Sequence, residues 1–327
     1  MRRVSRSFYL SLAILPRALR TPVGLAYLLA RAADTVADTR AIARDARLAH
    51  LETLRAAFGG TRVDVAGVAA ACRAHQASAA EAELLARLPE ALTRLDRLAP
   101  DDREAVRRVL ATLTSGMVLD LTTFPGEDAA RLAALATPED LDHYVYLVAG
   151  CVGEFWTAIH AAHRPRLRPW RMADMSKDGV RFGKALQMTN VLRDVPADLR
   201  QGRCYIPAAS LAAHGLAPAD LLDPSAMTKL RPLYGALLDL AAGHYEAGWR
   251  YTLAIPRGEW RMRLACAWPL LIGEATIAAL RRHPNPLAAD APVKITRAQV
   301  RGILARSLPA VWSNAALAAH ARRVRTR

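Results

Sequence analysis

The stretch Tyr27-Leu-Leu-Ala-Arg31-Ala-Ala-Asp34-Thr-Val-Ala-Asp38 decides the fold. Ala and Leu carry it, and neither Gly nor Pro interrupts it after Gly24, so it reads as a helix. Tyr27, Arg31, Asp34 and Asp38 recur at helical spacing and form one polar stripe. Leu28, Leu29, Ala32, Ala33 and Val36 surround that stripe. An apolar helix with so narrow a polar stripe is expected to be buried, with the stripe lining a cavity. Pro16, Pro22 and Gly24 are expected to punctuate the chain before it.

A second stretch, Gln187-Met-Thr-Asn190-Val-Leu-Arg193-Asp194-Val-Pro-Ala-Asp198, has the same form. Gln187, Asn190, Asp194 and Asp198 share a face, again with an Asp pair one turn apart. Two carboxylates so placed repel each other and are costly to bury. A hard divalent cation between the stripes removes that cost, and Mg²⁺ shares its shell with substrate phosphates and water. Arg31 and Arg193 stand ready to grip phosphate oxygens. The plain alternative for either pair is a solvated helix face. Pro196 should kink or end the second helix, which covers roughly residues 172–199.

Thr137-Pro138-Glu139-Asp140 is a helix start, with Thr as cap and acids beside the positive end. The helix that follows holds Gly150 and Gly153, each costing about 1 kcal/mol against Ala unless a backbone or ligand comes close. His160 and His163 read as its exposed end rather than as a metal pair. The segment from Arg200 to Pro207, with Arg203 and an exposed-looking Tyr205, is either a lid or a polar connection. The stretch 260–282 is a strongly apolar helix, and Val293-Lys294-Ile295-Thr296-Arg297 leads into the last one.

The chain resembles the squalene/phytoene synthase family, the head-to-head prenyl synthases. Four motifs carry the resemblance: Ser5-Arg6-Ser7-Phe8, the stripe from Tyr27 to Asp38, Tyr146-x-Val-Ala-Gly-x-Val-Gly153, and the stretch from Gln187 to Asp198. It runs from Ser5 to about residue 306. It implies an all-α isoprenoid synthase fold, a single-domain helical bundle around a central cavity over 1–327, with a basic tail at about 320–327. The two acidic rows would converge across an apolar tunnel. Asp34, Asp38, Asp194 and Asp198 would then be Mg²⁺ ligands, and Ser5, Arg6, Phe8, Gln187 and Asn190 substrate contacts. Tyr146, Tyr27, Arg31 and Arg193 would be catalytic. Tyr146 matches the family's Tyr, although some members place it one residue later, where this chain has Leu147. Lys294 and Arg297 match a segment associated with NADPH, whose 2′-phosphate a cation pair can hold. No G-x-G-x-x-G occurs, so no Rossmann site is expected.

The leading expectation is squalene synthesis from two molecules of farnesyl diphosphate through presqualene diphosphate. The residues Gly150 to Thr157 and the segment at Lys294 resemble bacterial squalene synthases. A phytoene or dehydrosqualene synthase, or one enzyme of a split hopanoid-pathway pair, is the second reading. A Mg²⁺-dependent prenyl diphosphate hydrolase and a non-catalytic prenyl-binding subunit are others.

Composition sets bounds on these readings. The 327 residues are 52% hydrophobic but only 6% aromatic, so Ala, Leu and Val must fill the core. The net charge of +15 suits anionic substrates or an anionic membrane surface. Nucleic acid is excluded as a partner, because the basic residues are spread out and no binding motif appears. The densest basic run, Arg322 to Arg327, reads as a solvated tail or a lipid contact. Four cysteines without a C-x-x-C imply reduced, buried thiols and a cytoplasmic protein, peripheral on the inner face of the membrane at most. The apolar runs read as too broken to span a membrane.

Overall fold

The computed structural model describes residues 8–288 and 291–326, and they are almost wholly helical. Their contacts cluster in two compact units, Met1–Thr122 with Glu154–Arg168, and Thr123–Gly153 with Pro169–Arg327.

The first unit opens with α1 (Phe8–Ile14) and α2 (Arg17–Asp38), then α3 (Arg44–Gly59), α4 (Val65–Arg73), α5 (Ala79–Ala86), α6 (Leu88–Asp96) and α7 (Pro100–Thr123). The helix α2 starts ten residues before Tyr27 and carries Pro22 and Gly24 inside it. Both are buried with Leu19, Val23 and Leu25, so packing overrides the local breaking signals. Gly60, at φ 100°, caps α3 in the left-handed region that glycine tolerates, which is why the helix stops there.

In the second unit, α8 (Pro138–Val145) leads through a π-helical turn, Tyr146–Gly150, into α9 (Cys151–His163), which from Glu154 onward belongs to the first unit. Thr137 and Asp140 form the expected capping box at its start. Next come α10 (Met172–Arg193), α11 (Val195–Arg200), α12 (Ala208–Ala212), α13 (Met227–Ala254) and α14 (Trp260–Arg282). The chain closes with two helices rather than one, α15 (Arg297–Ala310) and α16 (Asn314–Arg325). The core of the second unit is α10 lying along α13, with α14 against both and α15 and α16 against α14.

The only strands among the described residues are β1 (Ala133–Ala134) and β2 (Arg203–Cys204), paired in parallel with Ala133 opposite Arg203. All four cysteines are free and buried. By length and composition alone, Pro138–His163 and Arg257–Arg282 are apolar enough to cross a membrane, against the sequence expectation. The second has 78% of that window buried, as a core helix does.

Candidate active site

On α2 the spacing argument holds. Tyr27, Arg31 and Asp34 are half-buried and Asp38 is exposed, while Leu29, Ala32, Ala33 and Val36 are sealed in the core. Arg31 donates to the Asp34 carboxylate and, at 2.5 Å, to Glu81 of α5. Burial opposes the Arg31 charge, but Asp34, Glu81 and Asp38 outweigh it and hold the guanidinium above its ordinary pKa. Its Nε is buried with no hydrogen-bond partner among the described residues. Such a donor is costly to leave unmet, and an oxygen-rich ligand would satisfy it. Asp34 is pushed up to about 6, first by lost hydration and then by the neighbouring Asp38 charge, against the pull of Arg31.

Glu81 was not legible as a site residue. It lies beyond two intervening helices, and nothing in its local sequence points to α2.

The second stripe is built on α10. Asn190 Nδ2 donates to Gln187 Oε1 at 3.3 Å, so the two share a face as their spacing implied. The helix ends at Arg193, and Pro196 sits in the first turn of α11, where its missing N–H is harmless. The break costs little alignment: the Asp198 amide still donates to the Asp194 carbonyl at 2.9 Å, so the two Asp residues remain one turn apart. Arg193 grips Asp194 with two bonds, Nε at 2.9 Å and Nη2 at 2.5 Å. The buried Tyr234 hydroxyl donates to the Leu192 carbonyl at 2.9 Å, filling one of the acceptors that a helix C-terminus leaves open. On another face, Thr189 and Tyr245 pair their hydroxyls at 2.7 Å within the core.

Tyr146 opens the π-helical turn. Such turns are rare and frequently mark functional positions. Its ring lies over Gly150, and the Lys184 ammonium stands 6.0 Å from the ring centre. Lys184 also pairs with Asp142 at 2.6 Å. Lys184 is the residue the stripe logic could have found, since it extends the row of Gln187, Asn190 and Asp194 by one turn. The two glycine-bearing helices touch through backbone. A Cβ on Gly153 would stand 1.9 Å from the Gly179 carbonyl oxygen, and one on Gly183 would stand 2.2 Å from that of Ala149. Close approach is therefore what the glycines supply.

Several expectations change. Tyr205 is half-buried, not exposed, stacked on Tyr144 at 4.7 Å and edge-on to Phe124 at 5.0 Å. Its segment is pinned by the β1–β2 pair and by the Ala208 amide donating to the Leu135 carbonyl at 2.8 Å. His160 is fully buried rather than at an exposed end; burial pushes it down to about 3, and its Nδ1 faces the Trp156 carbonyl at 2.8 Å. His163 faces Asp102 at 2.8 Å, a different partner from that of His160. The basic run from Arg322 is the last turns of α16: Val324 is buried, and Arg325 pairs with the buried Glu274 at 2.6 Å. Lys294 lines a cavity against α14 to α16, and Arg297, at the first turn of α15, does not line it. Ser5 and Arg6 lie outside the described residues, as does the Phe8 side chain.

Among the described residues, no three His, Cys, Asp or Glu side chains gather closely enough to hold a metal ion unaided. Mg²⁺ seldom asks for that, since one or two carboxylates with phosphates and water suffice. The donor chemistry fits: each stripe presents two carboxylates a turn apart, and the Asp34 charge is held at a cost that a cation would remove.

The chain is all-α, with two Asp pairs each one turn apart and each near an arginine, and its class is that of the prenyltransferases. The chain belongs to the squalene/phytoene synthase family, whose sequence model matches residues 1–299. It is 29% identical over 252 residues to a bifunctional lycopene cyclase/phytoene synthase of Colletotrichum graminicola, covering 74% of this chain and 39% of that protein. It is 33% identical to a 15-cis-phytoene synthase of Enterobacter agglomerans, over 39% of this chain and 41% of that one. The chain thus spans less than half the length of these curated relatives. In fold it is similar to TcSQS, solved with the ligand BPH1237, at a TM-score of 0.79 and 23% identity over 99% of this chain and 87% of that one.

Proposed function

We propose that the chain joins two farnesyl diphosphates head to head, through presqualene diphosphate, and yields squalene with NADPH as reductant. The observation that carries the prenyl chemistry is Arg31, a guanidinium held between Asp34 and Glu81 with a buried Nε that has no partner among the described residues. That is a fixed cation with a donor to spare, beside a carboxylate that gains from a metal.

The chemical problem is heterolysis of an allylic carbon–oxygen bond. Asp34, Asp38, Asp194 and Asp198 would hold Mg²⁺, which supplies charge neutralisation for the departing diphosphate. Arg31 and Arg193 bind and orient phosphate oxygens, their forks already directed by the acids they pair with. Tyr27 lies one turn before Arg31 on the same stripe, placed to contact the same group. Gln187 and Asn190 orient substrate along the α10 face. Tyr146, backed by Gly150 and facing Lys184, presents a phenol whose proton assists departure and whose ring shields positive charge. Apolar residues beside each stripe, Leu29 and Val36 on α2 and Met188 and Val191 on α10, would keep water from the allylic cation. Lys294, on the wall of its cavity, would hold the 2′-phosphate of NADPH, the hydride source, with Arg297 at the first turn of α15 adding charge from outside that wall. Ser5, Arg6 and Phe8 complete the substrate contacts in this reading. The enzyme works in the cytoplasm, at the inner face of an anionic membrane that takes up its water-insoluble product.

A phytoene synthase is the second reading, favoured by the names of the curated relatives. It uses a longer prenyl chain and no reductant. Incubation with farnesyl or geranylgeranyl diphosphate, each with and without NADPH, separates the two. Squalene that forms only with NADPH supports the first; phytoene from the longer donor, indifferent to NADPH, overturns it in favour of the second. Release of the free prenyl alcohol alone would mean a hydrolase.

A further inference from the structure

Helices α14, α15 and α16 and the segment before α15 line a half-open cavity of about 650 Å³. That volume is in the range of small-molecule sites. Its walls carry four cations, Arg282, Lys294, Arg306 and Arg323, and no Asp or Glu among the described residues. Its floor is apolar, with Ile303 and Val324. None of the residues on the two acidic stripes lines it.

The neighbouring arginines make a contrast. Arg281 and Arg325, each beside a cavity residue in sequence, are neutralised, by Asp239 at 2.5 Å and by Glu274 at 2.6 Å. The four side chains that face the cavity make no ion pair among the described residues. Like charges gathered in one concavity raise its potential and draw counter-ions into it. Guanidinium forks match phosphate oxygens two at a time. An apolar floor beneath them favours a ligand with a body as well as a charge.

We propose that this cavity binds a ligand carrying two or more phosphate charges on a compact apolar or aromatic body. Three of its four cations, Arg282, Arg306 and Arg323, lie outside the segment that suggested a nucleotide. Lys294 is shared with that reading, so a nucleotide ligand would deepen it. A free diphosphate or a lipid headgroup would give the site a separate role.

The test uses the full chain in EDTA, so that no divalent metal reaches the Asp pairs. Calorimetry measures binding of inorganic diphosphate and of adenosine 2′,5′-bisphosphate; co-sedimentation measures binding to phosphatidylglycerol vesicles. At least one probe should bind, its affinity should fall with salt, and it should weaken at least tenfold in the double variant Arg282→Gln/Arg323→Gln. The probe that binds identifies the source of the phosphate. A second variant, Gly302→Leu, fills the floor without removing charge; a Cβ there meets only Arg306, at 3.6 Å, and the helix loses a glycine. It should abolish nucleotide binding and keep its melting temperature. No binding of any probe up to millimolar concentration, or binding unchanged in both variants, overturns the proposal. Neither result depends on prenyl turnover, so failure here is separable from failure of the product assay.

Discussion

The guanidinium of Arg31 donates at 2.5 Å to the carboxylate of Glu81, fifty residues further along the chain. The contact ties α2 to α5 and divides the Arg31 charge between Glu81 and Asp34. Glu81 also adds to the repulsion that raises Asp34. Replacing Glu81 by Gln should therefore lower the Asp34 pKa twice over, by removing a negative neighbour and by freeing Arg31 for Asp34. The acid limb of the pH–rate profile should move to lower pH, while kcat falls on the order of tenfold or more because Arg31 is no longer held from both sides. A lower melting temperature with an unmoved limb would assign Glu81 to packing alone.

Asp34 makes the opposite trade of stability against activity. Its folded pKa of about 6 lies above the value of 3.8 for a free carboxyl. A group raised in this way stabilises the fold fully below the unfolded pKa, and that contribution is lost as pH rises through the folded one. Metal-free protein should accordingly lose stability between pH 4 and pH 7. With the side chain 41% exposed and screened by solvent, the loss is about 1 kcal/mol. Asp34→Asn should flatten that slope in EDTA and melt higher than the parent at pH 8, yet turn over prenyl diphosphate at least a hundredfold more slowly. Turnover unchanged in this variant would remove Asp34 from the metal reading.

What the chain declares in sequence and what it conceals divide on physical lines. The stripes of α2 and α10, the Thr137 cap and the start of α14 at Trp260 follow from periodicity and end chemistry within a few turns. Glu81 depends on a partner fifty residues away, which no local pattern encodes; Lys184 was within reach of the stripe logic, but its partner Asp142, forty-two residues back, was not. The π-helical turn at Tyr146 was hidden for another reason. It lies among the close approaches at Gly150, Gly153 and Gly183, and a glycine inside a helix signals close approach without naming the neighbour. The start of α2 was misplaced because Pro22 and Gly24 break an isolated helix but not one whose Leu19, Val23 and Leu25 are packed into a core.

The glycine contacts support a paired experiment. A Cβ on Gly153 would fall 1.9 Å from the Gly179 carbonyl oxygen, and backbone cannot yield as a side chain can. Gly153→Ala should cost about 2–4 kcal/mol by prising α9 from α10. Because the π-helical turn lies directly before Gly153, activity should fall even at temperatures where the variant stays folded. Gly235 of α13 meets nothing within 4 Å, so Gly235→Ala should stabilise by about 0.5–1 kcal/mol through helix propensity alone. Thermal melts of the two variants read both signs. Equal melting temperatures would mean that the α9–α10 approach tolerates a methyl group.

The last turns of α16 admit a sharper test of whether the basic end is a loose tail. Glu274 on α14 is only 4% exposed, and it accepts hydrogen bonds from Trp249 at 2.9 Å and from Arg325 at 2.8 Å. Burial holds its carboxyl above the ordinary range, with Arg325 and Trp249 pulling the other way. Removing Arg325 leaves a buried carboxylate short of its counter-charge and raises its pKa further. Since a raised carboxylate contributes its stability at low pH and loses it as pH rises through the folded pKa, Arg325→Ala should resemble the parent near pH 4 and fall behind it toward pH 8. The deficit at pH 8 is about 2 kcal/mol, allowing for solvent at the exposed arginine. Adding Glu274→Gln should recover most of it, because the amide needs no counter-charge. A pH-independent deficit, or none, would show that α16 is held by Leu317, Ala321 and Val324 alone.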